Sequence, residues 1–112
     1  MPFVTQSKTD QYSNDTYADL LTVKLIERMH ATVIVRNQHG SHGLKYKILA
    51  SNDPQGAANT WAEEKAEDTI SGGSDPVRHV LTGPFVWVKI QIKSNGPSES
   101  PQASAWLMAI GV

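Results

Sequence analysis

The chain has 112 residues, with ten basic and eleven acidic residues, a net charge of -1 and no cysteine. A chain of this length forms one domain and buries a core without a covalent crosslink. The absence of cysteine excludes disulfides, thiolate metal sites and cysteine nucleophiles. Because the charges nearly balance, no overall field recruits nucleic acid or an anionic membrane, and we expect neither as a partner.

Residues 1–19 are polar and rich in turn-forming residues, with three isolated aromatic residues among them. They lack the basic start and apolar run of a signal peptide, and no window approaches the roughly 20 apolar residues of a membrane span. We therefore expect synthesis in the cytoplasm. Termini are poorly ordered unless contacts hold them. The segment is predicted to be an extended N-terminal arm, either loose or ordered on a neighbouring subunit through Phe3, Tyr12 and Tyr17.

Alternation of apolar and polar residues with a period of two predicts strands along most of the remaining chain. Residues 20–29 fit a helix or a strand, and their β-branched content and missing helix cap favour a strand. The clearest alternation lies in residues 44–51 and 83–94. We predict strands at residues 20–29, 30–37, 44–51, 60–66, 77–81, 83–94 and 103–110.

Turn-forming residues separate these strands at intervals of about 8 to 12 residues, which is typical of an antiparallel sandwich. The predicted fold is therefore all-β, an antiparallel β-sandwich or jelly roll of about eight short strands, with the arm at residues 1–19 and the sandwich domain at residues 20–112. The alternation assigns these residues to the core: Ala31, Val33, Val35, Tyr46, Ile48, Val86, Val88, Ile90 and Ile92.

Residues that carry chemistry do not form a recognisable site. His39 and His42 lie on a glycine-containing loop without a third ligand, whereas zinc normally takes three or four. Asn52 and Asp53 fit a turn that leads into Pro54 better than they fit a calcium site. No serine, histidine or carboxylate has the spacing of a catalytic group. We predict a protein that is not an enzyme and has no cofactor or metal.

One succession of residues and spacings extends over approximately residues 30–110. It consists of Tyr46-x-Ile48-x-x-Ser51-Asn52-Asp53, then Trp61, then the strand from Gly83 to Gln91, and finally an Ala/Ser-rich strand. This order resembles small β-sandwich virion proteins of tailed bacteriophages, including head-decoration (cement) proteins. The resemblance implies a non-enzymatic structural protein of a phage particle that stabilises the shell through subunit contacts. It also implies a virion location after assembly in the host cytoplasm, a major capsid or other virion protein as partner, and a homo-oligomer.

The same order is similar to discoidin-like galactose-binding sandwiches, whose loops at one end hold sugars or lipids. Here Pro54 stands where a glycine commonly follows the aspartate, and residues 56–58 lengthen the turn. The alternative function is therefore a carbohydrate-binding β-sandwich module, or a phage tail or adhesion component. In that case Trp61, Trp87 and Trp106 are stacking platforms for a glycan, whereas the ordinary role of Trp61 and Trp106 is core packing.

Apolar residues remain on faces that the alternation assigns outward, at Ile34, Phe85, Trp87 and Leu107. The last strand is apolar on both faces, so it must be central or covered by a neighbouring subunit. Together with the aromatic residues of the arm, these features give the candidate interface residues Phe3, Tyr12, Tyr17, Phe85, Trp87 and Leu107.

Overall fold

A computed structural model describes residues 3–25, 29–82, 85–96 and 98–111. These residues form eight strands: β1 (Phe3–Tyr12), β2 (Ala18–Lys24), β3 (Met29–Asn37), β4 (Leu44–Ser51), β5 (Ala62–Ile70), β6 (Val77–Leu81), β7 (Trp87–Ser94) and β8 (Gln102–Gly111). Over the same ranges, there is no helix with the length and apolarity that crossing a membrane requires.

The strands form two antiparallel sheets of four strands each. Sheet A has the order β1-β8-β3-β6 and sheet B the order β2-β7-β4-β5. Successive strands mostly alternate between the sheets, and the first strand pairs with the last, so that Phe3 lies opposite Ile110. This order is that of a jelly roll, which confirms the predicted all-β fold.

The core lies between the two sheets and contains every second residue of the central strands. In β7, Val88, Ile90 and Ile92 point inward and are almost fully buried. They pack in one cluster with residues of sheet A, such as Val33 and Leu107. The expected core residues are all buried except Val86, which is half-buried and lies in the loop before β7.

Residues 3–12 differ from the expected arm, because they form the edge strand β1 of sheet A. Residues from Phe3 to Lys8 pair continuously with β8, and a register shift follows before Gln11. Asp10 lies within this shift with a φ of 57°, as in a β-bulge. The following Ser13 donates from its backbone N and its Oγ to the carbonyl of Pro101, so the connection to β2 is also held against the sandwich.

Other differences concern the ends of strands. β5 begins at Ala62 rather than at residue 60, because Trp61 belongs to the preceding loop. β7 begins at Trp87, and residues 83 and 84 of the strand predicted there lie outside the described residues. β2 ends at Lys24, and residues 26–28 of the predicted strand also lie outside them.

Candidate interaction surfaces

The structure distributes the six predicted interface residues over different environments. Phe85 and Leu107 are buried in the core, so their prediction as interface residues is corrected. In β8, Leu107 alternates in phase with the buried alanines and so faces the core. Trp106 and Met108 lie in the opposite phase and point outward. Phe85 precedes β7, where the alternation of that strand does not apply.

The remaining predicted residues lie on three parts of the surface. Tyr12 is exposed at the end of β1, and Tyr17 is half-buried in the loop before β2. Trp87 is half-buried and opens β7 in sheet B. Phe3 opens β1, and its side chain lies outside the described residues. The six residues therefore do not form one contiguous interface.

The outer face of sheet A carries most of the exposed large apolar side chains among the described residues. Register places Ile34 of β3 opposite Trp106 of β8, and Thr32 opposite both Met108 of β8 and Val80 of β6. Paired residues share a face of the sheet. Val80 is 69% exposed, Met108 44% and Trp106 38%. We call the following outward residues of this sheet the sheet A face: Thr5, Ser7, Thr32, Ile34, Arg78, Val80, Trp106, Met108 and Ile110. The exposed His30 and Arg36 lie on the same side of the sheet, toward the two ends of β3.

A groove of about 700 Å³ runs across the sheet A face. Trp106 and Met108 form its centre, with the polar β1 residues Thr5 and Ser7 on one side. Arg78 is the one charged residue among the described residues that line it. Such a surface offers apolar contact area with polar atoms at its rim, which is the usual anatomy of a protein interface.

The outer face of sheet B is polar by comparison. The Tyr17 hydroxyl donates to Glu67 Oε1 at 2.5 Å. The Nζ atoms of Lys47 and Lys93 lie 4.4 and 5.3 Å from the centroid of the Tyr17 ring. Burial, and then the hydrogen bond to Glu67, raise the pKa of Tyr17, while the same bond lowers the pKa of Glu67. These contacts hold the β1–β2 loop against sheet B, and they occupy both the hydroxyl and the ring of Tyr17.

A second feature of sheet B is a cleft that contains two tryptophans, which we call the tryptophan cleft. The ring centroids of Trp61 and Trp87 are 6.5 Å apart, and the ring planes are inclined at 57°. Lys89 Nζ lies 4.3 Å from the Trp61 centroid. The cleft measures about 350 Å³ and is lined by Asp19, Thr22, Gln55, Gly56, Ala58, Trp61, Trp87 and Lys89.

Histidines form two further clusters. His39 Nδ1 accepts from the backbone N of Ser41 and of His42, each at 3.0 Å, so this ring closes its own turn. His42 Nδ1 lies 3.4 Å from Glu99 Oε1. Within the described part of the chain, no three residues of the metal-ligating types come together as a possible metal site.

The second cluster joins strand β4 of sheet B to strand β6 of sheet A. The Tyr46 hydroxyl of β4 and His79 Nε2 of β6 lie 2.6 Å apart and form a hydrogen bond across the sandwich. Burial, and then the charge of Lys65, lower the pKa of His79, whereas the nearby Asp68 acts in the opposite direction. Burial also raises the pKa of Tyr46. This pair stabilises the fold and lies apart from both surfaces described above.

Sequence reasoning recognised that the last strand is apolar on both faces and must be central or covered, but it assigned Leu107 to the outer face. It therefore did not identify Trp106 and Met108 as the residues of the sheet A face. Since Ala103, Ala105 and Ala109 are fully buried, the large residues between them must point outward. Val80 lies on an edge strand of five residues, where alternation is too short to assign its direction.

The strand order defines the chain as an eight-stranded jelly-roll protein. No protein-family model matches its sequence, and no curated protein sequence matches it. Its fold is similar to that in the structure titled "Bacillus endospore appendages form a novel family of disulfide-linked pili", with a TM-score of 0.63 and 12% sequence identity. The match covers 98% of this chain and 88% of that one.

Two further solved structures show the same fold. The VP2 subviral particle of infectious bursal disease virus matches with a TM-score of 0.61 at 15% identity, over 98% of this chain and 33% of that one. PirA matches with a TM-score of 0.55 at 12% identity, over 93% of this chain and 90% of that one. At these low identities the matches show a shared fold and nothing beyond it.

Proposed function

We propose that this chain is a non-enzymatic structural subunit of an assembled particle, and specifically a decoration protein of a bacteriophage capsid. In this proposal it is assembled in the host cytoplasm, resides in the virion, and contacts a major capsid or other virion protein together with further copies of itself. The resemblance of its residue order to small virion proteins of tailed phages supports this proposal, as does the fold shared with a viral particle protein and a pilus protein.

The single observation that carries the proposal is the sheet A face. It brings Ile34, Val80, Trp106, Met108 and Ile110 together on strands that hydrogen-bond side by side. Soluble monomers rarely expose a large contiguous apolar surface unless it binds something. Since all these residues are outward-facing, they are available for contact without any rearrangement of the core. The sheet A face is therefore the surface we propose to be covered in the particle.

The proposal also gives the remaining surface a consistent role. The outer face of sheet B carries lysines and carboxylates, among them the pairs Lys47–Glu63 and Lys89–Asp19. Charged residues are depleted at the centres of interfaces and common on surfaces that face water. We therefore place sheet A against the particle and sheet B toward the solvent.

The test uses the two most exposed apolar residues of the groove. Val80→Lys and Met108→Lys each add a charge to the sheet A face without reaching the core. We expect each purified variant to keep the parent's melting temperature and to lose association, as measured by multi-angle light scattering and by occupancy on purified particles. Thr22→Lys, on an exposed position of β2 in sheet B, is the matched control. Unchanged association in both sheet A variants contradicts the proposal.

A further inference from the structure

We propose that the tryptophan cleft binds a saccharide. This inference does not rest on the proposed particle function, because the cleft belongs to sheet B and to the loop that precedes β5, whereas the proposed assembly surface is on sheet A. The argument depends on how the two indoles are held, on the order of the loop beside them, and on the polar groups around them.

Both indole N–H groups are engaged by the loop, which fixes the rings. Trp87 Nε1 donates to the carbonyl of Pro54 at 3.2 Å, and Trp61 Nε1 donates to the carbonyl of Gly56 at 3.1 Å. Both residues are nevertheless half-buried rather than buried. The rings are thus oriented at the surface with their polar atoms satisfied, so what they present to the cleft is aromatic carbon. Rigid aromatic surface of this kind suits the C–H face of a sugar ring.

The loop between β4 and β5 is ordered by its own hydrogen bonds. Asp53 accepts from the backbone N of Gln55 and of Ala57 through its two carboxylate oxygens. Ser51 Oγ and Thr60 Oγ1 are 2.7 Å apart and join the two ends of the loop. Gly56 has a φ of 61°, and a Cβ there would lie 3.2 Å from Trp87 Nε1. Because the loop is ordered before a ligand binds, less conformational entropy is lost on binding.

Polar groups of four kinds surround the indoles. Asp19 supplies a carboxylate, whose Oδ1 accepts from Gln91 Nε2 at 2.9 Å and lies 3.8 Å from Lys89 Nζ. Thr22 supplies a hydroxyl and Gln55 an amide, and both are exposed beside the cleft. Sugar hydroxyls donate and accept hydrogen bonds at once, so a set of carboxylate, amide, hydroxyl and amine matches them.

In the proposed complex, a pyranose ring packs its C–H face on Trp61. The Lys89 side chain, which covers this ring in the free protein, moves aside and bonds a ligand oxygen. The remaining carboxylate oxygen of Asp19 accepts from a sugar hydroxyl. The cleft volume of about 350 Å³ lies within the range of small-molecule sites and suits one or two sugar rings. Because Lys89 is near the ring, carboxylated sugars belong to the class of ligand as well as neutral ones.

The experiment titrates the full chain with the methyl glycosides of glucose, galactose, mannose, N-acetylglucosamine and glucuronic acid. Binding is followed by saturation-transfer NMR and by tryptophan fluorescence up to about 50 mM, because shallow sugar sites bind in the millimolar range. We expect at least one glycoside to bind. Trp61→Ala and Asp19→Asn are expected to weaken its binding at least about tenfold, or about 1.4 kcal/mol.

Trp106→Ala is the matched control, since Trp106 is an equally large aromatic residue on the opposite sheet. Trp61→Phe keeps an aromatic ring and removes the bond to Gly56, so retained partial binding in this variant separates stacking from loop order. Circular dichroism checks that each variant is folded. The proposal is overturned if no glycoside binds the parent chain, or if Trp106→Ala weakens binding as much as Trp61→Ala does.

Discussion

Gly72 shows how closely two loops of this sandwich approach each other. A Cβ at Gly72 would lie 2.3 Å from the backbone carbonyl carbon of Ser41, which no side-chain movement relieves. The neighbouring Gly73 has a φ of 75° and donates from its N to the carbonyl of His39 at 3.0 Å. The loop before β4 and the loop before β6 are therefore in direct backbone contact, and this contact requires a residue without a side chain.

We predict that Gly72→Ala lowers the free energy of unfolding by about 1–3 kcal/mol, since overpacking forces the backbones apart. Gly40→Ala is the matched control on the opposing loop, because nothing lies within 4 Å of a Cβ there. Its expected effect is within about 0.5 kcal/mol. Urea denaturation of the two variants measures the difference, and equal midpoints would show that the loops separate without cost.

His79 gives a second prediction, which concerns pH. Burial lowers its pKa in the folded state, so the unfolded chain binds the proton more readily than the folded chain does. The stabilisation from neutral His79 is therefore complete above the ordinary pKa of about 6.5 and is lost as the pH falls below it. The groups that face it are Tyr46, Lys65 and Asp68.

We expect the urea concentration at the unfolding midpoint of the parent chain to decrease as the pH is lowered from about 7.5 to about 5.5. His79→Gln keeps an acceptor for the Tyr46 hydroxyl and should show a smaller fall over the same interval. His30→Gln, at an exposed position of β3, serves as the control and should behave as the parent does. The carboxylates Glu67 and Asp68 have lowered pKa values, so their contribution is lost at more acidic pH and does not confuse the comparison. A parallel pH response in His79→Gln would count against this assignment.

Among the elements, β1 has the most testable role. It pairs with β8 from Phe3 to Lys8 and covers one edge of sheet A. We predict that deletion of residues 1–12 lowers the melting temperature and promotes aggregation, because it exposes the more apolar edge of β8. Deletion of residues 1 and 2 leaves β1 entire and should change neither property. If the chain without residues 1–12 melts as the parent does, β1 is dispensable to the sandwich and the expectation of a separable arm is restored.

The elements also show where sequence reasoning succeeds. Strands β3, β4 and β7 follow from alternation, because a strand between a core and water must alternate. β1 was missed since its residues from Thr5 to Gln11 are all polar, as an edge strand with little burial permits. Trp87 was correctly placed outside the core. The direction of Trp106 was left open, because the alternation of β8 is equally apolar in either phase. In the structure the alanines of β8 are buried and Trp106 points outward.

The tryptophan cleft was predictable only in its parts. The sequence indicates a turn at residues 52–56 and names Trp61 and Trp87 as possible stacking residues. Their proximity depends on the register of β4 against β7, which places Ser51 opposite Trp87 and so brings the loop over that ring. Asp19 reaches the same cleft through the pairing of β2 with β7. Long-range pairing of this kind has no local signal in the sequence.

At the scale of the whole molecule, the two outer faces of the sandwich differ in chemistry. The sheet A face is apolar, while the lysine residues of β4 and β7 lie on sheet B. With a net charge of -1, copies of the chain neither repel nor attract each other strongly at long range.

We therefore predict that association through the sheet A face is nearly insensitive to ionic strength between about 50 and 500 mM salt, because apolar contact is not screened. Light scattering or occupancy on particles measures this over the salt series. Arg78→Ala removes the charge from the groove and should leave the salt response flat. A steep loss of association with salt would instead indicate that charged residues dominate the contact.

The pairing of β1 with β8 also has a kinetic consequence for synthesis. Phe3 and Ile110 are partners although almost the whole chain separates them. Sheet A cannot acquire its central strand β8 until the ribosome has passed residue 111, so until then β1 and β3 lack the strand that lies between them. Folding dominated by such non-local pairing is slow, and exposed strand edges in the meantime favour aggregation. The sandwich is therefore completed only after β8 has been synthesised, and nascent chains stalled before residue 102 should lack the pairs that β8 forms with β1 and β3.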